Sequence, residues 1–222
     1  MRDIFAMFPE VQRSGFFFSP SFFSNDLASS SASLVKVAKA FGSPNKGRHG
    51  QIVEVLTPQN PDEAHRNSLS AQYGKDNFPF HIDTAHYQMP SRYLVFACIA
   101  CHGNIAPTLL AHTSDLKLER MEKKALEIGV FLVKNGRHSF YTNIKQTNSP
   151  FFRWDPGCMH AQDKHAELSA EVLSHYPYSQ NLKRIDWSEG ALLIVDNWNM
   201  LHARGSVKDG HGERTLLRST IQ

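Results

Sequence analysis

Cysteine is scarce, at three in 222 residues. So small and odd a number builds no disulfide framework, and a chain of this length buries roughly 70% of its unfolded surface without one. The N-terminus lacks a charged segment followed by an apolar one, so no signal peptide is expected. Reduced thiols and a cytoplasmic location follow as expectations. No apolar run approaches the ~18 residues of a membrane helix. No block of Lys and Arg exceeds two residues and the net charge is only +3, so a nucleic-acid footprint is missing. No internal repeat occurs, which excludes solenoids and propellers. Hydrophobic residues at 41% and charged residues at 20% exclude a mainly disordered chain.

What the chain has in excess is phenylalanine, 15 residues, and histidine, 12. The first suggests broad sheet faces and the second invites a search for metal ligands. A single domain over 1–222 is expected, with residues 1–33 an irregular lead-in. Residues 30–41 have the apolar spacing of a helix, with Gly42 at its end. Strands are expected at 51–56, 80–85, 93–101, 191–196, 200–203 and 214–221. Helices are expected at 116–128, stopped by Gly129, and at 162–175. Asn135-Gly136 between 130–134 and 138–143 is a hairpin signal. Many strands with a few inserted helices predict a mainly β fold, a barrel or sandwich carrying helices on its outside.

The chemistry starts at His81-Ile82-Asp83. On a strand, residues i and i+2 project from one face, so an imidazole and a carboxylate stand side by side. Two histidines and a carboxylate on one face of iron(II) leave three positions for substrate and dioxygen. His202, after the apolar strand 191–196, is the best third ligand. Twelve residues later comes Arg214, then Arg218. On a strand these two face the same way, and inward arginines in an apolar strand call for anions.

The order His-x-Asp, long insert, His and Arg resembles the iron(II)/2-oxoglutarate dioxygenases, within them the taurine dioxygenase and clavaminate synthase-like branch. Phe78 to His86 with Pro90 to Tyr93, Leu192 to Asn197 with Leu201 to Arg204, and Val37 to Pro44 carry the likeness. The resemblance implies a double-stranded β-helix, or jelly roll, in a cupin-like core. It implies His81, Asp83 and His202 as iron(II) ligands and catalytic residues, and 2-oxoglutarate and dioxygen as cosubstrates. Arg214 and Thr108 would take the distal carboxylate of 2-oxoglutarate. Arg218 and Asn77 would meet the primary substrate, and Arg153 or Trp154 would reach toward it. Asp83 stands where halogenating relatives carry a small residue, which favours hydroxylation. A middle insert shorter than in typical members implies a reduced substrate lid.

The expected activity is oxidation of an aliphatic C–H bond in a small anionic, amino-acid-like molecule, with 2-oxoglutarate converted to succinate. The expected partner is that small molecule, with neither nucleic acid nor membrane. The same chemistry on a carrier-tethered or peptide substrate, or a non-catalytic jelly-roll binding protein, are the alternatives. Cys98-Ile-Ala-Cys101-His102 matches the pattern of covalent haem attachment. On a regular strand i and i+3 point to opposite faces, so the expectation is two ordinary small residues.

Overall fold

The computed structural model describes residues 4–23, 27–47, 50–64, 68–178, 181–205 and 212–222. The core is a five-stranded antiparallel sheet facing a three-stranded one. The first is built from β1 (Phe16–Ser19), β2 (Glu54–Leu56), β3 (Tyr93–His102), β9 (Leu192–Asp196) and β11 (Glu213–Ile221), in the order β1-β9-β3-β11-β2. The second has β10 (Met200–Arg204), β4 (Thr108–His112) and β8 (Lys183–Ile185), in the order β10-β4-β8. A third small sheet joins β5 (Phe131–Val133), β6 (Phe140–Thr142) and β7 (Met159–Ala161). The expected mainly β fold is what the chain adopts.

Central strands of the large sheet are apolar on both faces, which is why they read as continuous hydrophobic runs. Tyr93, Val95 and Ala97 alternate with Leu94, Phe96 and Cys98. The first set packs outward on Leu34, Val37, Ala38 and Phe41 of α2 (Leu27–Phe41). The second set packs inward with Leu110 of β4, Met200 of β10 and Ile185 of β8. At ~25 cal/mol per Å2 of apolar surface, these two layers are the main source of stability. Gly42 closes α2 at φ +150°, and a Cβ there would lie 2.5 Å from the Gln222 carbonyl oxygen. No residue but glycine fits that approach.

The described residues of 1–33 do not form the expected irregular lead-in. Met7–Ser14 form helix α1, and β1 pairs with β9 from Phe16↔Val195 to Ser19↔Leu192. Short, Ser- and Phe-rich segments lack a readable period, and the strand forms because β9 offers a free edge. α3 (Leu69–Tyr73) is a short addition, and α4 (Arg120–Ile128) and α5 (Lys164–His175) stand where helices were expected. The hairpin signal gives the β5–β6 pair, but through a six-residue connection containing a 3-10 turn rather than a two-residue turn.

Two departures matter for the site. The expected strand 80–85 shrinks to a single bridge, His81↔His202, followed by turn residues. In the β3–β11 ladder the register shifts, with Thr215 opposite Ala100 but Leu216 opposite Cys98. Ile99 is therefore an extra residue, and such a bulge reverses the alternation beyond it.

Candidate metal and cosubstrate site

His202 lies on β10 between Met200 and Arg204, with its side chain on the inner face. His81 sits across from it: His81 N donates to His202 O at 3.0 Å, and His202 N donates to His81 O at 2.9 Å. Residues far apart in sequence become direct antiparallel partners, and their ring centroids are 4.3 Å apart. Asp83 joins them from the following turn. Asn197, fully buried, accepts from Asp83 N at 2.9 Å and donates to Asp83 O at 3.0 Å and Ser91 O at 2.8 Å. Thr84 then takes φ +58°, a left-handed conformation costly for a β-branched residue. Its hydroxyl accepts from Ser91 N at 2.8 Å.

The result is a cluster in which one ligand atom from each of His81, Asp83 and His202 lies within 4.8 Å of the others. Asp83 Oδ1 is 3.7 Å from His81 Nε2 and 3.5 Å from His202 Nε2. Neighbouring ligands on an octahedral ion with bonds of about 2.1 Å stand about 3 Å apart, so a small contraction suffices. His81 Nδ1 donates to Pro79 O at 2.8 Å, which leaves the Nε2 lone pair facing the cluster. Two imidazoles and one carboxylate, with the rest of the rim open to other ligands, fit iron(II).

Arg218 enters from β11, on the side of Asp83 away from the histidines. Its Nη1 donates to Asp83 Oδ2 at 2.7 Å, and its Nε and Nη2 donate to Glu54 Oε2 at 3.2 and 2.6 Å. Burial by itself would raise the Asp83 carboxyl. Arg218, with His202 and His81, outweighs burial and holds it well below the usual carboxylate range. Burial lowers His202, with His81 adding to it. For His81 burial is the largest single influence and lowers it, but the bond to Asp83, the charges of Asp155 and Asp83 and the Pro79 carbonyl together outweigh burial and raise it.

A second wall holds Arg214 and Thr108. Arg214 Nη1 donates to Ala106 O, and its guanidinium lies 5.9 Å from the Trp187 ring centroid. Trp187 Nε1 donates to Thr108 Oγ1 at 3.0 Å. Among the described residues no carboxylate lies within ion-pair distance of Arg214. Burial, then the nearby Arg204, push it down to about 10. A half-buried, unneutralised arginine that shares Trp187 with a hydroxyl fits a carboxylate.

Other positions singled out in the sequence sit elsewhere. Arg153 is 2% exposed and donates to the carbonyls of Ala85, Tyr87 and Gln88, the last two at 2.6 and 2.7 Å. It braces the turn after Asp83 from within. Trp154 is packed against Phe131 in the core of the third sheet, and its carbonyl accepts from Ile82 N at 2.8 Å. Neither side chain faces the cluster, because both are claimed by backbone and core. Asn77 is exposed on the loop before His81. Residues with a part in the site that sequence reading passed over are Asn197, Glu54 and Trp187. Only the Asp196-Asn197 turn after an apolar strand was a visible signal for any of them.

Residues 117–220 match the model of the taurine catabolism dioxygenase TauD, TfdA family. No curated protein matches the chain. Among solved structures, asparagine oxygenase in complex with Fe(II), hydroxyasparagine and succinate superimposes with a TM-score of 0.75 at 17% identity, covering 99% of this chain and 78% of that one. Non-heme iron oxygenase OrfP with Fe and alpha-ketoglutaric acid gives 0.72 at 14%, covering 97% and 77%. PvcB from Pseudomonas aeruginosa gives 0.71 at 18%, covering 100% and 80%. Residues 117–220 are thus similar to the TauD, TfdA family, and the chain shares its fold, with a jelly-roll core, with these non-heme iron oxygenases. Among the described residues no helix is long and apolar enough to cross a membrane.

Proposed function

We propose that this protein hydroxylates an aliphatic C–H bond of a small amino-acid-like substrate, consuming 2-oxoglutarate and dioxygen. The observation that carries the reading is the convergence of His81 Nε2, His202 Nε2 and Asp83 Oδ1, with an unneutralised Arg214 on the neighbouring wall. In this reading His81, Asp83 and His202 hold iron(II), and Arg214 with Thr108 takes the distal carboxylate of 2-oxoglutarate. Iron(II) and 2-oxoglutarate, when bound, supply dioxygen activation, with succinate and carbon dioxide as coproducts.

The protein's own part is geometry. His81 Nδ1, tied to Pro79 O, fixes the tautomer that offers Nε2. Asn197 fixes the backbone of Asp83, and Arg218 fixes its carboxylate. His81 and His202 are buried, so two of the three ligands are held largely away from solvent.

Charge around Arg218 narrows the substrate. Three of its five N–H groups are committed to Asp83 and Glu54, which leaves two. One guanidinium against two carboxylates is a poor site for a simple anion. A molecule carrying both carboxylate and ammonium fits better, with its carboxylate on the free N–H groups and its ammonium on Glu54. Solved relatives were crystallised with hydroxyasparagine and with (3S)-hydroxy-L-Arg, which supports an amino-acid substrate. The test is a panel of free and carrier-linked amino acids, scored for iron-dependent acceleration of 2-oxoglutarate decarboxylation. Acceleration by free amino acids supports the reading. Acceleration only by carrier-linked ones moves it to tethered substrates, and no succinate from any would leave a binding protein.

A further inference from the structure

The Cys98-x-x-Cys101 spacing would separate the two thiols on a regular strand. The bulge at Ile99 removes that separation. Cys98 lies opposite Leu216 and Cys101 opposite Arg214. Leu216 and Arg214 are two apart on β11 and share a face, so their cross-strand partners share it too. Both cysteines accordingly pack in the inner layer between the sheets, Cys98 fully buried and Cys101 partly exposed. Two residues on β11 span about 6.6 Å at ~3.3 Å each, and a disulfide bridges Cα atoms up to about 6.8 Å apart. Cys101 is near enough to act on the Cys98 thiol, whose sulfur approaches Ala100 O at 3.6 Å. Cys101 Sγ also approaches Trp187 O at 3.9 Å, beside the wall of Thr108 and Arg214.

We propose that Cys98 and Cys101 are a reversible dithiol–disulfide pair, oxidised by hydrogen peroxide, set in the wall behind Arg214. Cys101, the accessible member, reacts first. Its thiolate attacks one peroxide oxygen, the O–O bond breaks, and the departing hydroxide takes up the thiol proton as water. Cys98 sulfur then attacks the resulting sulfenic sulfur. The S–S bond forms, the S–O bond breaks, and a second water leaves with the Cys98 proton. Two thiols lose two hydrogens and one peroxide becomes two waters. Burial, then Cys101, push the Cys98 thiol up to about 12, so the second step is slow at neutral pH. Arg214 lies across from Cys101, and its charge reaches Cys98. Closing the pair therefore alters the wall that, in the function proposed above, reads the cosubstrate carboxylate.

The test begins with the full chain treated with hydrogen peroxide, denatured, alkylated and cleaved after Lys and Arg. Residues 93–117 form one fragment holding Cys98 and Cys101, and Cys158 falls in another, 154–164. The expected result is an unalkylated 93–117 fragment lighter by two hydrogens, restored by dithiothreitol and absent in Cys101→Ser. A Cys158→Ser variant keeps it. Alkylation of both sulfurs after peroxide, or irreversible oxidation of Cys101 with Cys98 still free, overturns the pair. The second arm measures the thermal shift given by 2-oxoglutarate with iron(II) under anaerobic conditions. The shift should shrink in oxidised wild type and persist in peroxide-treated Cys101→Ser. A disulfide that leaves the shift intact overturns the link to Arg214. No shift even in the reduced protein counts against the proposed function and leaves the first arm standing.

Discussion

Arg218 Nη1 donates to Asp83 Oδ2 at 2.7 Å, which leaves Oδ1 as the oxygen that faces both histidines. An arginine expected to wait for a substrate anion is already bonded to a candidate metal ligand. Groups that orient a metal ligand typically contribute 10–100-fold to metal affinity. Arg218→Ala should therefore weaken iron(II) binding about tenfold in an anaerobic titration. It should also raise the Michaelis constant of the primary substrate while 2-oxoglutarate affinity stays nearly constant. Unchanged iron affinity would show that the bond orients nothing.

Arg214→Ala should act on the cosubstrate instead. Charge-assisted hydrogen bonds contribute on the order of 1.5–3 kcal/mol each, and each ~1.4 kcal/mol is a factor of ten. Affinity for 2-oxoglutarate should fall about a hundredfold, measured by titration under anaerobic conditions with iron(II). Arg214→Lys should recover only part, because an ammonium cannot reproduce the planar fork.

Asp83→Ala should abolish turnover and iron binding. Relief of repulsion among empty ligands would be an argument for a more stable variant, but the structure reverses that sign. The Asp83 carboxylate is held by Arg218, and its removal leaves a partly buried guanidinium with Glu54 alone. Metal-free Asp83→Ala should be less stable by about 1–3 kcal/mol in chemical denaturation. A variant as stable as the parent would contradict the Arg218 ion pair.

Arg153→Met should cost about 3 kcal/mol of stability, since three carbonyls of the turn after Asp83 lose their donor at once. Urea denaturation measures it. If Arg153 contacted substrate rather than bracing the fold, the variant would keep its denaturation midpoint and lose substrate affinity.

Asp163 supplies a pH dependence remote from the metal cluster. Its Oδ1 accepts from Ala166 N at 2.8 Å, capping α5, and its Oδ2 accepts from Val130 N at 2.9 Å. These backbone bonds lower its carboxyl below the usual value. The unfolded value is about 3.9, so the contribution is present above that pH and is lost as pH falls through the lower folded value. Asp163→Asn keeps an acceptor and removes the charge. Comparing the melting temperatures of wild type and Asp163→Asn at about pH 7 and about pH 3 should show the gap closing on acidification. A gap independent of pH would mean that the Asp163 charge does not contribute.

The sequence by itself determined the elements whose signal is periodic and local. Leu34, Val37, Ala38 and Phe41 mark α2 because a helix has to present one apolar stripe. The runs at 93–101 and 191–196 mark strands covered on both faces, and His81, Asp83 and His202 stand out by residue type and order. Tertiary structure decided whatever depends on a distant partner. β1 exists because β9 has an open edge. The 80–85 segment becomes a bridge and a turn because His202, Asn197 and Arg153 claim its backbone. The Ile99 bulge, visible only in the register with β11, puts Cys98 and Cys101 on one face. Arg218 could be read from sequence as an inward cation. Its partners, Asp83 and Glu54, come from two other segments 135 and 164 residues away, and only packing brings those charges together.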